Sequence, residues 1–345
     1  MEKRFDIMAE DARQTCANER ISWTDLEDRT ILITGANGLI GVNLLETMRV
    51  LREERGIRVS VIGLVRDEQK IPTRFANRPG FSFVIGSVED LPPIEGDVDY
   101  VIHAASPTSS RFFLDHPVET IHISVRGTMN LLELARKKAS RGFAYLSSME
   151  VYGHPPKGTL VTEKNVAGFD PTNPRNSYPI SKILCESLCL SYFKEYGLPT
   201  FVLRLTQTFG PGMQYNDGRV FAEFVRCVLE KRDIILKTTG ETERSYLYTA
   251  DAVQAIFAVL LNGKAGECYN AANENTYCSI AEMAHMMADE IAGGQIAVRY
   301  ELEDVKKLGY ADILHMKLDT TKLSSLGWTP CYSLKEMFER MFLSF

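Results

Sequence analysis

The sequence has no apolar stretch long enough to cross a bilayer: its longest run, Ala255 to Leu261, is far short of the roughly 20 residues a spanning helix needs. No membrane partner is expected. Seven cysteines, an odd number, stand without a Cys-x-x-Cys pair or a cysteine–histidine cluster. That excludes a disulfide framework and a zinc centre, leaves no candidate metal site, and points to reduced thiols in the cytoplasm. No long basic run offsets the formal net charge of −6, so nucleic acid is not an expected partner either. Met1-Glu-Lys-Arg-Phe-Asp carries charge where a secretory signal would be apolar. Internal repeats and low-complexity tracts are absent as well.

What the chain does have is 345 residues, 45% of them hydrophobic, enough for one large α/β domain and a smaller appendage. Its strongest local signal is Ile31-Leu-Ile-Thr-Gly35-Ala-Asn37-Gly38-Leu39-Ile40-Gly41, an apolar run leading into G-x-x-G-x-x-G. Val42, Leu44, Leu45 and Met48 then recur at helical spacing, so the stretch reads as strand, tight turn, helix. Glycine suits such a turn because a Cβ would block positive φ or hold the backbone away from a pyrophosphate on the helix N-terminus. Gly35, Asn37, Gly38, Leu39, Ile40 and Gly41 are therefore candidate cofactor residues.

Residues 1 to about 28 read as an extra helix and a connector, with Trp23 and Leu26 packing on the domain and no chemistry assigned. Further strands are expected over 58–65, 81–85, 98–102, 143–148 and 201–205, with long helices over about 117–138 and 178–195. Strands alternating with helices in this way imply a parallel sheet covered on both faces, with ligands at the carboxyl ends of the strands. Arg66 and Asp67 end the second strand with opposed signals, since an acid there suits the ribose hydroxyls of NAD and an arginine the extra phosphate of NADP. Ser87 and Val88 are placed beside the adenine, and the small residues Ala104, Ala105 and Ser106 let the chain pass close to a cofactor.

Tyr178 and Lys182 are spaced i, i+4, so on a helix they project from one face toward the same ligand. A tyrosine is a poor base at neutral pH, but an ammonium and an oxidised nicotinamide close by favour the phenolate and lower its pKa. Tyr178 is then placed to remove a hydroxyl proton as hydride leaves the same carbon. Ser148, at a strand end, would hold the reacting oxygen.

With these pieces in hand, the chain resembles the extended short-chain dehydrogenase/reductases, in their nucleotide-sugar epimerase, dehydratase and decarboxylase branch. The resemblance rests on the glycine turn, Ser147-Ser148-x-x-x-Tyr152-Gly153, Tyr178 with Lys182, Arg204-x-x-Gln207-x-x-Gly210-Pro211, and Arg244-Ser-Tyr-Leu-Tyr248-x-x-Asp251. It covers nearly everything from Thr30 to Trp328. It implies a Rossmann-type doubly wound parallel sheet of the α/β class with a smaller C-terminal substrate-binding domain. The expected division is an extension at 1–28, a dinucleotide-binding domain at 29–205 and about 241–270, and a nucleotide-sugar-binding domain at about 206–240 and 271–345. It also implies a tightly held nicotinamide cofactor, NAD with NADP left open, and a homodimer paired through the two long helices.

Details narrow the branch. The dehydratases carry Thr-Asp-Glu where this chain has Ser148-Met149-Glu150, and a thioether cannot donate the proton that expels water. The uronate decarboxylases carry Thr-Ser-Glu, which Glu150 fits and Met149 does not. The segments Ser106 to Arg111 and Asn216 to Val220 also look like the decarboxylases, and by that similarity Arg244 lies beside a sugar carboxylate. Arg219 would clamp the nucleotide diphosphate, Gln207 replaces the usual asparagine at a sugar contact, and Arg111 is either a carboxylate partner or a surface residue at a helix start. A uronate oxidised at C4 is a β-keto acid and loses CO₂ readily. The leading expectation is therefore a nucleotide-uronate decarboxylase using Ser148, Glu150, Tyr178, Lys182 and Arg244. Epimerisation at C4, or at C5 with Glu150 as base, stands second, and a non-catalytic dinucleotide sensor is the remote alternative.

Overall fold

The computed structural model describes residues 2–107, 110–303 and 313–345. Arg29–Thr34 (β1) lies inside a seven-stranded parallel sheet. Ile31, Leu32 and Ile33 are fully buried, as a strand covered on both faces requires. Val59–Val65 (β2) and Phe81–Ile85 (β3) lie to one side of β1. Tyr100–His103 (β4), Gly142–Ser148 (β5), Thr200–Leu205 and Glu267–Ala271 follow in turn on the other. Strand order reverses between β1 and β4, and the crevice at their carboxyl ends is where such a sheet takes its ligand.

Alternation along β1 supplies both faces. Ile31 and Ile33 join Leu44 and Met48 of the helix Leu39–Glu53 and Ile256 and Phe257 of the helix Thr249–Asn262. Leu32 turns to the opposite face, toward Leu131 of Gly127–Lys137 and Cys185 and Cys189 of Ser177–Tyr196. The helix expected over 117–138 differs in one respect. Pro117–Ile121 passes through a π-helical turn, His122–Arg126, into Gly127–Lys137, a local register change that hydrophobic periodicity does not announce.

A second sheet, of five strands, has Glu243–Tyr248 between Asn273–Ser279 and His315–Leu318, with Leu160–Val161 beyond and Gln207–Phe209 also paired to Glu243–Tyr248. Phe209, Phe221, Tyr246, Met283 and Phe338 fill its core. Glu243–Tyr248 thus belongs to this sheet, whereas the sequence division put about 241–270 in the dinucleotide-binding domain. The strand faces both cores: Tyr246 and Tyr248 enter the second and Leu247 the first. Trp328 likewise returns to the first core, where it is fully buried and its indole N–H donates to the Asp251 carbonyl at 2.9 Å.

The N-terminal helix Glu2–Cys16 packs on Leu39–Glu53 and Thr249–Asn262. Its Asp11 is buried and accepts hydrogen bonds from Tyr248 Oη at 2.7 Å, Tyr332 Oη at 3.0 Å and Arg340 Nε at 2.9 Å. Trp23 and Leu26 are buried in the first core. Among the described residues, no helix is long and apolar enough to cross a membrane.

Candidate active site

β1 delivers the chain into its turn at Gly35, whose φ of +66° lies in the left-handed region. A Cβ there would stand 3.0 Å from the N and Cα of Ala105, so the Ala104–Ala105 strand end presses directly on the turn. Gly41 is tighter still, its Cβ falling 2.1 Å from the Gly35 carbonyl oxygen. Exposed Gly38 caps the helix Leu39–Glu53 without a side-chain hydrogen bond, which leaves the first-turn N–H groups and the positive helix end open to an anion. Asn37, Leu39 and Ile40 around it are half-buried. At the next strand end Arg66 is exposed, while Asp67 Oδ1 accepts the Gln69 N–H at 3.0 Å. Ser87 Oγ accepts the Glu89 N–H at 3.2 Å, and Val88 is buried, its carbonyl accepting from Asn130 Nδ2 at 2.9 Å.

β5 ends in Ser148, whose Oγ accepts the Glu150 N–H at 3.2 Å and caps the short 3₁₀ turn Met149–Tyr152. The helix Ser177–Tyr196 faces it and carries Tyr178 and Lys182, both buried. The Ser148 hydroxyl lies close enough to Tyr178 to act on its phenol. Lys182 Nζ donates to the Leu146 carbonyl at 2.7 Å and stands 5.7 Å from the centroid of the Tyr178 ring. Burial pulls the lysine down to about 8. Tyr178 moves the other way: burial first, then the Glu150 carboxylate, hold its phenol above the ordinary value, with the Ser148 hydroxyl opposing. The lowered phenol expected from the sequence is therefore not produced by the protein's own groups, because the ammonium donates to Leu146 and the phenol is desolvated.

The second sheet carries Arg244, whose charge acts on Glu150. Burial raises the half-buried Glu150 carboxyl, and the nearby positive charge of Arg244, followed by Arg175, His154 and Lys182, works against that rise. Arg244 Nε is buried and, among the described residues, has no hydrogen-bond partner. Met149 is not at this cluster; it is buried, and Thr206 Oγ1 lies 3.2 Å from its sulfur. Gln207 is half-buried, opposite Tyr246 on the neighbouring strand. Arg219 is held by Asp217, with Nη2 at 2.7 Å and Nε at 3.0 Å, and its Nη1 reaches the Thr208 carbonyl at 3.3 Å. Arg111 has a highly exposed side chain paired with Asp115 at 3.3 Å, the surface alternative of the two readings. Ser106 Oγ donates to the Pro107 carbonyl at 3.2 Å, and Thr108 and Ser109 lie outside the described residues.

A model of the NAD dependent epimerase/dehydratase family matches residues 31–272. The chain belongs to that family. It is 31% identical over 325 residues to UDP-glucuronic acid decarboxylase 1 of Arabidopsis thaliana, covering 91% of this chain and 69% of that one. Against UDP-glucuronic acid decarboxylase 1 of Xenopus tropicalis it is 28% identical over 348 residues, 97% of this chain and 79% of the other. The solved UDP-glucose 4-epimerase of Thermotoga maritima shares the fold, with a TM-score of 0.75 over 91% of this chain and 98% of that one at 23% identity.

This epimerase/dehydratase family member is thus an enzyme of the decarboxylase or epimerase type with a nicotinamide cofactor. The cradle fits that group, since Gly35 and Gly41 have no room for side chains and the open helix end beside them suits a pyrophosphate. Sequence reasoning missed three parts of the site. Thr34 Oγ1 meets His103 Nδ1 at 2.9 Å and accepts the Ala105 N–H at 3.1 Å, bracing β1 against β4 at the strand-order reversal. Burial, then the Lys182 charge, depress His103 to about 3, so this ring is neutral. Their places just before Gly35 and Ala104 were the available signal. Phe113 stacks on the Tyr178 ring, centroids 4.1 Å apart and planes within 10°, and Arg175 stands three residues before Tyr178. Neither carries a local pattern.

Proposed function

We propose that this enzyme decarboxylates a nucleotide-linked uronate, with UDP-glucuronate the substrate to test first. The observation that carries the reading is Arg244, whose buried Nε, unpartnered among the described residues, stands in the same cluster as Glu150 and so provides an unanswered donor for a carboxylate. The names of the two decarboxylase relatives support it.

A bound nicotinamide cofactor supplies the hydride acceptor for the C4 carbon. Tyr178 takes the C4 hydroxyl proton while its neighbour Ser148 holds the oxygen, with Lys182 Nζ, anchored on the Leu146 carbonyl, 5.7 Å from the centroid of the phenol ring. Arg244 holds the carboxylate in place. With C4 a carbonyl, the bond from C5 to the carboxylate breaks, CO₂ leaves, and the electron pair passes to the carbonyl oxygen. Glu150, whose carboxyl burial keeps raised, returns a proton to C5. Tyr178 gives back its proton as C4 is reduced again. Ser106 and Gln207 are the proposed sugar contacts and Arg219 the diphosphate contact, its guanidinium oriented by Asp217.

Glu150 also favours one second reading, epimerisation at C5 with this carboxylate as base, and C4 epimerisation begins with the same oxidation. The test is incubation with UDP-glucuronate and either nicotinamide dinucleotide, following CO₂ and the sugar anomeric signals by NMR. Released CO₂ with a pentose product is expected; a product that keeps its carboxylate replaces decarboxylation by epimerisation.

We also propose a cytoplasmic homodimer. Val118, Ile121 and Met129 on one long helix and Ile183 and Leu184 on the other are exposed apolar residues, which supports pairing of copies through these helices. Cys16, Cys185, Cys189 and Cys227 are buried free thiols, which suits a reducing compartment.

A further inference from the structure

The motif residues Ser147 and Arg204 take no part in the proposed steps, yet both turn to one buried carboxylate, Glu186. They stand opposite each other on neighbouring strands of the first sheet. Ser147 Oγ donates to Glu186 Oε1, and the Arg204 guanidinium grips the carboxylate in a fork, Nη2 to Oε2 at 2.6 Å and Nε to Oε1 at 3.0 Å. Glu186 lies on the helix Ser177–Tyr196 one turn past Lys182 and two past Tyr178, so the three line one side of it. That side meets the end of β5 at three consecutive residues: Lys182 on the Leu146 carbonyl, Glu186 on Ser147, and Tyr178 beside Ser148. Arg204 Nη1 continues to Tyr152 Oη at 2.8 Å, in the turn that carries Glu150. One carboxylate thus joins the helix of Tyr178 and Lys182 to the turn of Glu150.

We propose that Glu186 is a positioning residue for the oxidation at C4, holding Tyr178 and Lys182 in register on the strand end. Both members of the ion pair are nearly out of water, with 12% of the Arg204 side chain and 6% of the Glu186 side chain exposed. Desolvation cancels much of what such a pair adds to stability, so holding a geometry is the role that accounts for it there. A displacement of about 1 Å between reacting groups is enough to cost roughly 10²-fold in rate. Glu186 also shapes the field at Lys182. Acting around that ammonium are Cys185, Glu186 and Cys189 from its own helix, Glu150 from the turn, the Tyr145 ring from β5 and His103 from β4. Burial lowers the lysine to about 8, and the Glu186 charge works against that fall. This role rests on Tyr178 as the base at C4, a step that decarboxylation and C4 epimerisation share.

Glu186→Gln keeps the shape of the side chain and removes its charge, whereas Ser147→Ala removes one hydrogen bond and leaves the ion pair, so the second variant serves if the first does not fold. After circular dichroism, the reduced nicotinamide formed in a single turnover with UDP-glucuronate measures the oxidation. Its rate per bound dinucleotide should fall about 10²-fold in Glu186→Gln and about 3- to 10-fold in Ser147→Ala, while dinucleotide affinity and the KM for the nucleotide sugar stay within about threefold. A second measurement needs no substrate. The ¹⁵Nζ titration of Lys182, assigned by its loss in Lys182→Arg, is expected at about 8 in the unmodified protein and lower in Glu186→Gln, with Ser147→Ala unshifted. An unmodified protein that binds dinucleotide but oxidises no nucleotide sugar removes the proposed reaction, and the lysine titration then decides the role of Glu186. An unchanged oxidation rate in either variant, or a Lys182 titration that Glu186→Gln does not move, overturns the assignment.

Discussion

Replacing Gly41 with Ala tests the cradle at its tightest point. The new Cβ would fall 2.1 Å from the Gly35 carbonyl oxygen and 2.7 Å from Ala36 Cα, where ordinary contact begins at 3.4 Å. The larger shortfall, 3.4 less 2.1, is 1.3 Å, and both neighbours are backbone, so no side chain can rotate aside. The turn and the helix must separate, which draws the first-turn N–H groups off the line on which they meet a pyrophosphate. Overpacking of this kind costs about 1–3 kcal/mol, and if that strain is relieved at the expense of the ligand, cofactor affinity falls roughly 5- to 150-fold. Gly38→Ala is the graded comparison: its Cβ meets only the Gly35 oxygen, at 3.2 Å, and a shift of a few tenths of an ångström accommodates it. Calorimetric titration with NAD and NADP, after circular dichroism has confirmed that both variants fold, measures the two losses. A Gly41→Ala protein that binds its dinucleotide as tightly as the unmodified enzyme refutes the cradle.

Tyr178→Phe should keep cofactor binding, because Phe113 can stack on a phenyl ring as it does on the phenol, and should lower turnover about 10²- to 10⁴-fold. Unchanged turnover of the nucleotide sugar would remove Tyr178 from the chemistry. Asp251, buried and raised from 3.8 to about 7, makes the fold less stable as pH climbs between those values, since the native state there binds the proton that the unfolded chain has released. Relative to Asp251→Asn, the unmodified protein should lose about 3 kcal/mol from pH 5 to pH 8, roughly 4 °C in melting temperature for a chain of this size. A difference that does not vary with pH contradicts this. Asp11→Ala strands the hydroxyls of Tyr248 and Tyr332 and the Arg340 cation, so a loss of about 3–5 kcal/mol is expected, read as a melting point roughly 4–7 °C lower. An unmoved melting point would mean that the N-terminal helix is dispensable.

Much of the fold was legible because its signals are local. The apolar run before Gly35, the alternation of strands and helices, and the four-residue spacing of Tyr178 and Lys182 each follow from backbone geometry over a few residues. The strands expected at 58–65, 81–85, 98–102, 143–148 and 201–205 all formed within two residues of those limits. The π-helical turn at His122–Arg126 and the allegiance of Glu243–Tyr248 to the second sheet were not legible, because neither alters the hydrophobic pattern within the segment itself.

By itself the sequence determined a dinucleotide-binding α/β enzyme and pointed to the residue types of the proposed proton relay, through glycine at a tight turn and tyrosine one helical turn from lysine. Tertiary structure alone decided where charge acts. Asp67 turned into its own loop and Arg66 did not, Arg219 was oriented by Asp217, and Arg111 went to the surface. Arg244, carried on another sheet, acts on the Glu150 carboxyl through its charge, and among the described residues its Nε is unanswered. A charged side chain's role depends on which partners it meets and how far water is excluded, and both are set by residues distant in the chain.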